Sequence, residues 1–196
     1  KQGAEIIEIQ FPLDPSVYNS SFQVMLYEFK DGLNTYFKSL EHVPVKTLKE
    51  LIEFNKKDSI EMKYFSQSLL EQAESKGDLQ SAEYKKALAD MLKATRENGI
   101  DKLLKEHKLD ALMAPTGGPA WKIDMINGDL FLGSSSSYAA ISGYPDISVP
   151  MGFIDELPVG ISFFGKAWSE PTLLEIAYAY EQATKHRKVP TYIKTN

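Results

Sequence analysis

The chain has 196 residues, 43% apolar and 25% charged, enough to bury a substantial core and in the balance of a globular α/β or α-rich protein rather than a fibrous or disordered one. Its net charge of -5 is interspersed along the sequence, and the Lys56-Lys57 and Lys85-Lys86 pairs are too isolated to track a phosphate backbone, so no nucleic-acid partner is expected. The absence of cysteine removes disulfides and thiolate metal sites and suits a cytoplasmic chain, and no apolar run approaches the ~20 residues of a membrane span.

Ile6, Ile7 and Ile9, flanked by Glu5 and Glu8, predict a short strand that ends at Phe11-Pro12, because proline cannot donate to a ladder. A strand opening a chain so abruptly, without a preceding methionine, leads to the expectation that the natural polypeptide begins further upstream. Residues 1–196 are therefore read as a single domain that is a fragment of a longer chain. From Asn19 or Ser20 helical spacing takes over, with Phe22, Met25, Leu26, Phe29, Leu33, Tyr36, Phe37 and Leu40 on one wide apolar face. Thr47 with Glu50 three residues on reads as a capping box opening a helix from Leu48 to about Lys57. A further helix is expected over Gln67–Ser75, stopped by Gly77-Asp78, and a long one over Tyr84–Lys105, broken near Asn98-Gly99, with Asp101 as the cap of its second part.

The chain then changes character. Ala111-Leu112-Met113-Ala114 is short, apolar on both faces and ended by Pro115, like a buried strand of an α/β sheet. Two helical turns follow over Ser137–Ser142, stopped by Gly143 and Pro145. Asp146–Met151 and Val159–Phe164, separated by Asp155-Glu156-Leu157-Pro158, predict a hairpin. In its second strand Val159, Ile161 and Phe163 face one way and Gly160, Ser162 and Phe164 the other, the latter side small enough for a helix to pack close. The last helix opens at Ser169-Glu170-Pro171, docks on the sheet, and ends in Lys185, His186, Arg187 and Lys188, which complement the helix dipole.

Conventional catalytic constellations are nearly absent. His42, His107 and His186 have no partner at helical spacing, so each reads as a solvated histidine rather than a ligand or base. No metal signature and no phosphate-binding loop is present, since Pro119 interrupts Thr116-Gly117-Gly118. The run Gly133-Ser134-Ser135-Ser136-Ser137 invites a nucleophile reading, but a serine hydroxyl needs a base and the sequence supplies none beside it. A loop ending in an N-cap serine is the favoured interpretation. Lys122 and Lys166 lie beside Trp121 and Trp168, pairs that more often make surface or cation-π contacts than do chemistry. Trp121 serves equally well as a pocket wall.

Three strings carry a resemblance. Leu109-Asp110-Ala111-Leu112-Met113-Ala114-Pro115-Thr116, Gly143-Tyr144-Pro145-Asp146-Ile147-Ser148-Val149-Pro150-Met151-Gly152 and Leu157-Pro158-Val159-Gly160-Ile161-Ser162-Phe163-Phe164-Gly165 resemble, in order and spacing, the C-terminal part of amidase signature enzymes. Gly3–Glu8 and the closing helix from Glu170 to Ala183 fit the same pattern. The subset most resembled is the bacterial amidases and peptide amidases, through Gly117-Gly118-Pro119-Ala120-Trp121 and Gly128-Asp129.

The resemblance implies a mixed β-sheet covered by helices, no cofactor, and hydrolysis of linear carboxamides to carboxylate and ammonia through an acyl-serine intermediate. It also implies that the lysine, the serine in a cis peptide and the nucleophilic serine lie in an upstream glycine- and serine-rich signature. That signature is not found here, so no catalytic residue is carried over and the chain alone is expected to be inert. By position, Thr116, Gly117, Gly118, Trp121, Ser134, Ser135 and Ser136 are expected to wall a channel for a small-molecule amide substrate. A half-sheet of this kind is expected to form a homodimer, or to swap, so as to cover its exposed edge. Two other readings stay open: part of the A-type component of a tRNA-dependent amidotransferase, and a stand-alone module binding a small ligand.

Overall fold

The computed structural model describes residues 3–191, and the chain divides into two units, one of residues 13–92 and the other of residues up to 12 together with those from 93 onward. In the first unit, α1 spans Pro15–Ser39. It starts a full turn before the expected Asn19 or Ser20, because Asp14 caps it and Pro15 sets the first helical φ. The Asp14 carboxylate accepts from Ser16 N–H at 2.8 Å, and the Ser16 hydroxyl first and this N–H second hold its pKa below the ordinary value. The predicted apolar face is only partly buried. Leu26 and Leu33 meet α2 (Leu48–Asn55) and α3 (Ser68–Glu74) around Leu48, Ile52 and Ala73, while Phe22, Met25, Phe29 and Tyr36 stay exposed.

Thr47 caps α2 as expected, accepting from Glu50 N–H at 3.1 Å, but the Glu50 carboxylate reaches back to Lys46 N–H (2.6 Å), one residue before the usual capping-box donor. Gln67, buried just before α3, donates to the Ile52 carbonyl at 3.1 Å and accepts from Asn55 at 2.9 Å. α4 (Ala82–Thr95) is tied to α1 by two tyrosine–carboxylate bonds, Tyr27 to Glu83 at 2.8 Å and Tyr84 to Glu28 at 2.7 Å.

The break predicted near Asn98-Gly99 is a π-helical turn over Arg96–Ile100, with Gly99 at φ -115°, ψ -110°. Gly99 is required there, since a Cβ would stand 2.8 Å from the Ala94 carbonyl oxygen and 2.9 Å from the Phe11 ring. α5 follows over Asp101–His107. Asp101 does not cap it; its carboxylate instead accepts from the Tyr144 hydroxyl at 2.9 Å.

β1 (Leu112–Pro115), β2 (Asp146–Ile154) and β3 (Leu157–Phe164) form a three-stranded antiparallel sheet in the order β1-β3-β2. The hairpin is tighter than predicted. Leu157 and Pro158 already pair with Ile154 and Phe153, leaving a two-residue turn at Asp155-Glu156 with Asp155 at φ 52°. β1 lies at the edge, so Met113 is 48% exposed and the strand is not buried on both faces. Between β1 and β2 lies α6 (Ser136–Ser142), which ends where Gly143 turns left-handed at φ 70°.

The two sheet faces separate as the alternation in β3 predicts. Ile161 and Phe163, with Ile147 and Val149, pack on Leu173 and Ala177 of α7 (Glu170–Thr184). On the opposite face Phe164 and Leu112 join Ile100, Leu104 and Ala139. Tyr138 stacks on Phe164 with ring centroids 5.8 Å apart and donates its hydroxyl to the Phe11 carbonyl. α7 closes at Thr184 with Lys185 as a left-handed cap, so the rest of the basic run lies beyond the helix rather than in its last turn. There Lys188 sits over the Phe153 ring, 4.5 Å from its centroid.

The strand predicted from Ile6 to Ile9 is not a strand among the described residues. The segment is extended but joins no ladder; Ile9 and Phe11 anchor it on the core, while Ile6 is 68% exposed. β-branched residues favour the extended backbone, but a strand exists only where a neighbour completes its hydrogen bonds.

Candidate functional site

The loop that follows β1 leaves the sheet at Thr116 and returns at Ser134, where Gly117 and Ser134 form an antiparallel bridge. Thr116 N–H donates to the Gly160 carbonyl at 2.8 Å, continuing the β1–β3 ladder, and its own carbonyl accepts from the Ser134 hydroxyl at 2.9 Å and from Ser135 N–H at 3.3 Å. Ser134 Oγ also accepts from Ser136 N–H at 3.1 Å and lies 2.9 Å from Ser136 Oγ. The serine run therefore clamps the neck of the loop. Of the seven residues expected to line a channel, Thr116, Gly117, Ser134, Ser135 and Ser136 come together at this neck.

Gly118 stands on the outgoing leg, close enough to Leu132 that a Cβ would fall 2.9 Å from the leucine Cβ. Trp121 lies further out, 40% exposed, its ring edge-on to Phe131 at 6.1 Å. The tip is held by Asp124, whose carboxylate accepts from Asn127 N–H at 2.9 Å, from its side chain at 2.8 Å and from Ile126 N–H at 2.8 Å, all of which keep its pKa low. Around that turn Ile123, Met125, Ile126, Leu130, Phe131 and Leu132 are all exposed.

At the neck a cluster of hydroxyls emerges that reading the strands singly does not find. Thr116 Oγ1 lies 2.7 Å from Ser148 Oγ and 3.1 Å from Ser162 Oγ, bringing β3, β2 and the end of β1 to one point. Gly160 makes room for it, since a Cβ there would stand 2.9 Å from both Ser148 Oγ and Thr116 Oγ1. Asp146 borders the cluster. Asp146 is exposed, yet partial desolvation pushes its carboxyl above the ordinary 3.8, and the nearby Ser162 hydroxyl opposes that rise. The only trace of this cluster in the sequence is the small-residue alternation of Gly160 and Ser162; its members are too far apart along the chain for spacing to join them.

Ser135 is 4% exposed, and its Oγ has no hydrogen-bond partner among the described residues. It occupies the N-cap position of α6 without capping it by side chain, a correction to the expected N-cap serine. Neither a lysine nor a histidine hydrogen-bonds any of these hydroxyls, so the neck can position and hydrogen-bond a ligand but holds no activated nucleophile among the described residues. The Trp121–Lys122 and Trp168–Lys166 pairs make no cation-π contact there; Arg96 over Tyr144 is one of the pairs that do. The described residues contain no group of three or more acidic or histidine side chains placed to hold a metal ion. None of their helices is long and apolar enough to cross a membrane.

This is an α/β layer whose sheet end carries a polar loop neck. The amidase family model matches residues 1–174, and the chain belongs to the amidase family. It is 40% identical over 172 residues to a probable amidase of Arabidopsis thaliana, covering 86% of this chain and 30% of that protein. Against the A-type component of the glutamyl-tRNA(Gln) amidotransferase of Clostridium acetobutylicum the identity is 40% over 114 residues, 55% of this chain and 23% of that protein. The native peptide amidase of Stenotrophomonas maltophilia superposes with a TM-score of 0.85 at 42% identity, over 95% of this chain and 37% of that one. The chain thus spans roughly a third of the length of these longer relatives.

Proposed function

We propose that this chain is the C-terminal, substrate-channel and scaffold portion of an amidase that hydrolyses linear carboxamide C–N bonds to carboxylate and ammonia through an acyl-serine intermediate. In this reading the sheet holds the loop neck rigid. Thr116, Gly117, Gly118, Trp121, Ser134, Ser135 and Ser136 form one wall of the channel, and the attacking serine and its proton acceptors are supplied from outside the chain. The observation that carries it is the likeness to the Stenotrophomonas maltophilia peptide amidase over nearly all of this chain. The geometry supports it as well, because the neck offers hydroxyls and backbone groups for hydrogen bonding without a base to activate any of them.

The test is a turnover assay of the pure chain with a C-terminally amidated peptide and a simple aryl amide. No ammonia release above the uncatalysed background is expected. Turnover that Ser135→Ala abolishes would place a nucleophile in this chain and overturn the reading.

The second reading, the corresponding part of the A-type component of a tRNA-dependent amidotransferase, is favoured by the similarity to that component in Clostridium acetobutylicum, which extends over 55% of this chain. It predicts co-purification with partner proteins and a requirement for charged tRNA. The A-type component of Clostridium botulinum matches 93% of this chain at only 30% identity, against 42% over 95% for the peptide amidase, and this higher identity together with the even spread of charge weighs against it.

A further inference from the structure

The tip of the loop between β1 and α6 is pinned by a single residue. The Asp124 carboxylate accepts from Ile126 N–H at 2.8 Å, from Asn127 N–H at 2.9 Å and from the Asn127 carboxamide at 2.8 Å, and the Asp124 carbonyl accepts from Gly128 N–H at 3.1 Å. Gly128 follows at φ 82° with open space where a Cβ would stand, and both it and Asn127 are exposed. An asparagine followed by glycine is a reactive pair. The next backbone nitrogen can close a five-membered ring on the side-chain Cγ, and glycine puts no side chain in its path. The sequence contains two such pairs, Asn98-Gly99 and Asn127-Gly128, in opposite environments. Gly99 is buried in the π-helical turn, where a Cβ would meet the Ala94 carbonyl oxygen at 2.8 Å and the Phe11 ring at 2.9 Å, so the Asn98 side chain reaches that nitrogen only when the turn opens. At Asn127-Gly128 there is no such crowding, and the bonds to Asp124 are what restrain the two reacting groups.

We propose that Asn127 is a site of spontaneous deamidation, latched by Asp124, and that its conversion unpins the loop tip. The Gly128 nitrogen gives up its proton to solvent and attacks Asn127 Cγ. The Cγ–Nδ2 bond then breaks, ammonia leaves with a proton returned by solvent, and a succinimide remains. Water opens that ring at one of two carbonyls. Attack at Cγ breaks the Cγ–N bond and leaves aspartate, whereas attack at the main-chain carbonyl breaks the original peptide bond and leaves isoaspartate. One water enters and one ammonia departs, with no change of oxidation state. The aspartyl product puts a carboxylate where the carboxamide donates to Asp124, so a hydrogen bond becomes a repulsion between like charges. The isoaspartyl product routes the main chain through the former side chain and lengthens the turn by a methylene. In both, the exposed apolar side chains of the tip, Ile126 and Phe131 among them, lose the turn that orders them. This chemistry is independent of the amidase reading, because it releases one ammonia per chain and stops.

The experiment ages the 196-residue chain in mildly alkaline buffer at physiological temperature, in water enriched in heavy oxygen, and maps its peptides by mass spectrometry. Asn127 is expected to convert about 100-fold faster than Asn98, taking up one heavy oxygen and giving aspartyl and isoaspartyl peptides that chromatography separates. Asp124→Ala removes the three carboxylate bonds and is expected to speed conversion at Asn127 about tenfold while leaving Asn98 unchanged. Chymotrypsin is expected to cut beside Phe131 about tenfold faster in the aged chain and in Asn127→Asp than in the fresh parent. Conversion at Asn127 no faster than at Asn98 overturns the proposal. So does an Asp124→Ala rate equal to the parent's, since Asp124 then latches nothing, and so does cleavage that neither ageing nor Asn127→Asp accelerates, since the tip is then not unpinned. Should Asp124→Ala lose its cooperative urea transition, the comparison of Asn127 with Asn98 in the parent decides alone. No arm reads turnover, so failure here leaves the amidase reading standing.

Discussion

Gly160 shows how a single missing side chain permits a polar cluster. A Cβ at that position meets Ser148 Oγ and Thr116 Oγ1, both at 2.9 Å, so Gly160→Ala must turn at least one hydroxyl out of the cluster. The expected cost is about 1–2 kcal/mol, one hydrogen bond plus local overpacking, read as a lower urea midpoint with an unchanged slope. Combining it with Ser148→Ala, which removes one of the two obstacles, should recover part of the loss; strictly additive losses would contradict a direct clash. Asp146 makes a different residue-scale prediction. Its carboxyl is pushed up chiefly by partial desolvation although the residue is exposed, so the folded state favours the protonated form slightly more than the unfolded chain does. Stability from this group is then full below the ordinary 3.8 and is lost as pH rises through the elevated folded value. Asp146→Asn should therefore melt higher than the parent at pH 7, with the advantage vanishing below about pH 3.8. An advantage that persists at low pH would point to a cause other than ionisation.

At the scale of the element, α7 tests the packing account of the sheet. Leu173 is 2% exposed against Ile161 and Phe163, whereas its neighbour Leu174 is 58% exposed. Leu173→Ala is expected to cost about 2–5 kcal/mol and Leu174→Ala less than about 0.5 kcal/mol, measured by urea unfolding. The same contrast explains what is legible in the sequence. Elements whose signals are local stand where expected: Thr47 as a cap, Gly143 as a stop, the period-two faces of β3, the break at Gly99. Asp14-Pro15 is an equally local signal, and it carries the start of α1 upstream of the point where the apolar period begins. Features that depend on what lies across the fold are not legible. The run from Ile6 to Ile9 has strand composition but no ladder, Met113 is apolar yet sits at an edge, and half of the α1 face stays exposed because α2 and α3 cover only one side of it. The loop neck is half-legible. Its glycines and serines stand out in sequence, but the hydroxyls of Thr116, Ser148 and Ser162 meet only because two antiparallel registers align residues 32 and 46 positions apart.

For the molecule as a whole, membership of the amidase family together with coverage of only about a third of its relatives sets how the loop should be tested. A wall contributes binding energy to substrate and transition state alike, whereas a group that acts on the reacting atoms contributes only in the transition state. Trp121 is the largest side chain on the loop and is positioned by an edge-on contact with Phe131 rather than by burial, so it can be truncated without opening a core. If Trp121 walls the channel as proposed, then in a chimera where this chain replaces the matched region of the Stenotrophomonas maltophilia peptide amidase, Trp121→Ala should raise KM for an amidated peptide about tenfold while kcat stays within a factor of about two, the signature of lost uniform binding. Because Trp121 and Phe131 pack together, Phe131→Ala should shift KM in the same direction by a smaller factor, and the double variant should fall short of the product of the two. A fall in kcat at constant KM would move Trp121 from the wall to the reacting centre. Unchanged kinetics would remove Trp121 from the proposed channel wall altogether.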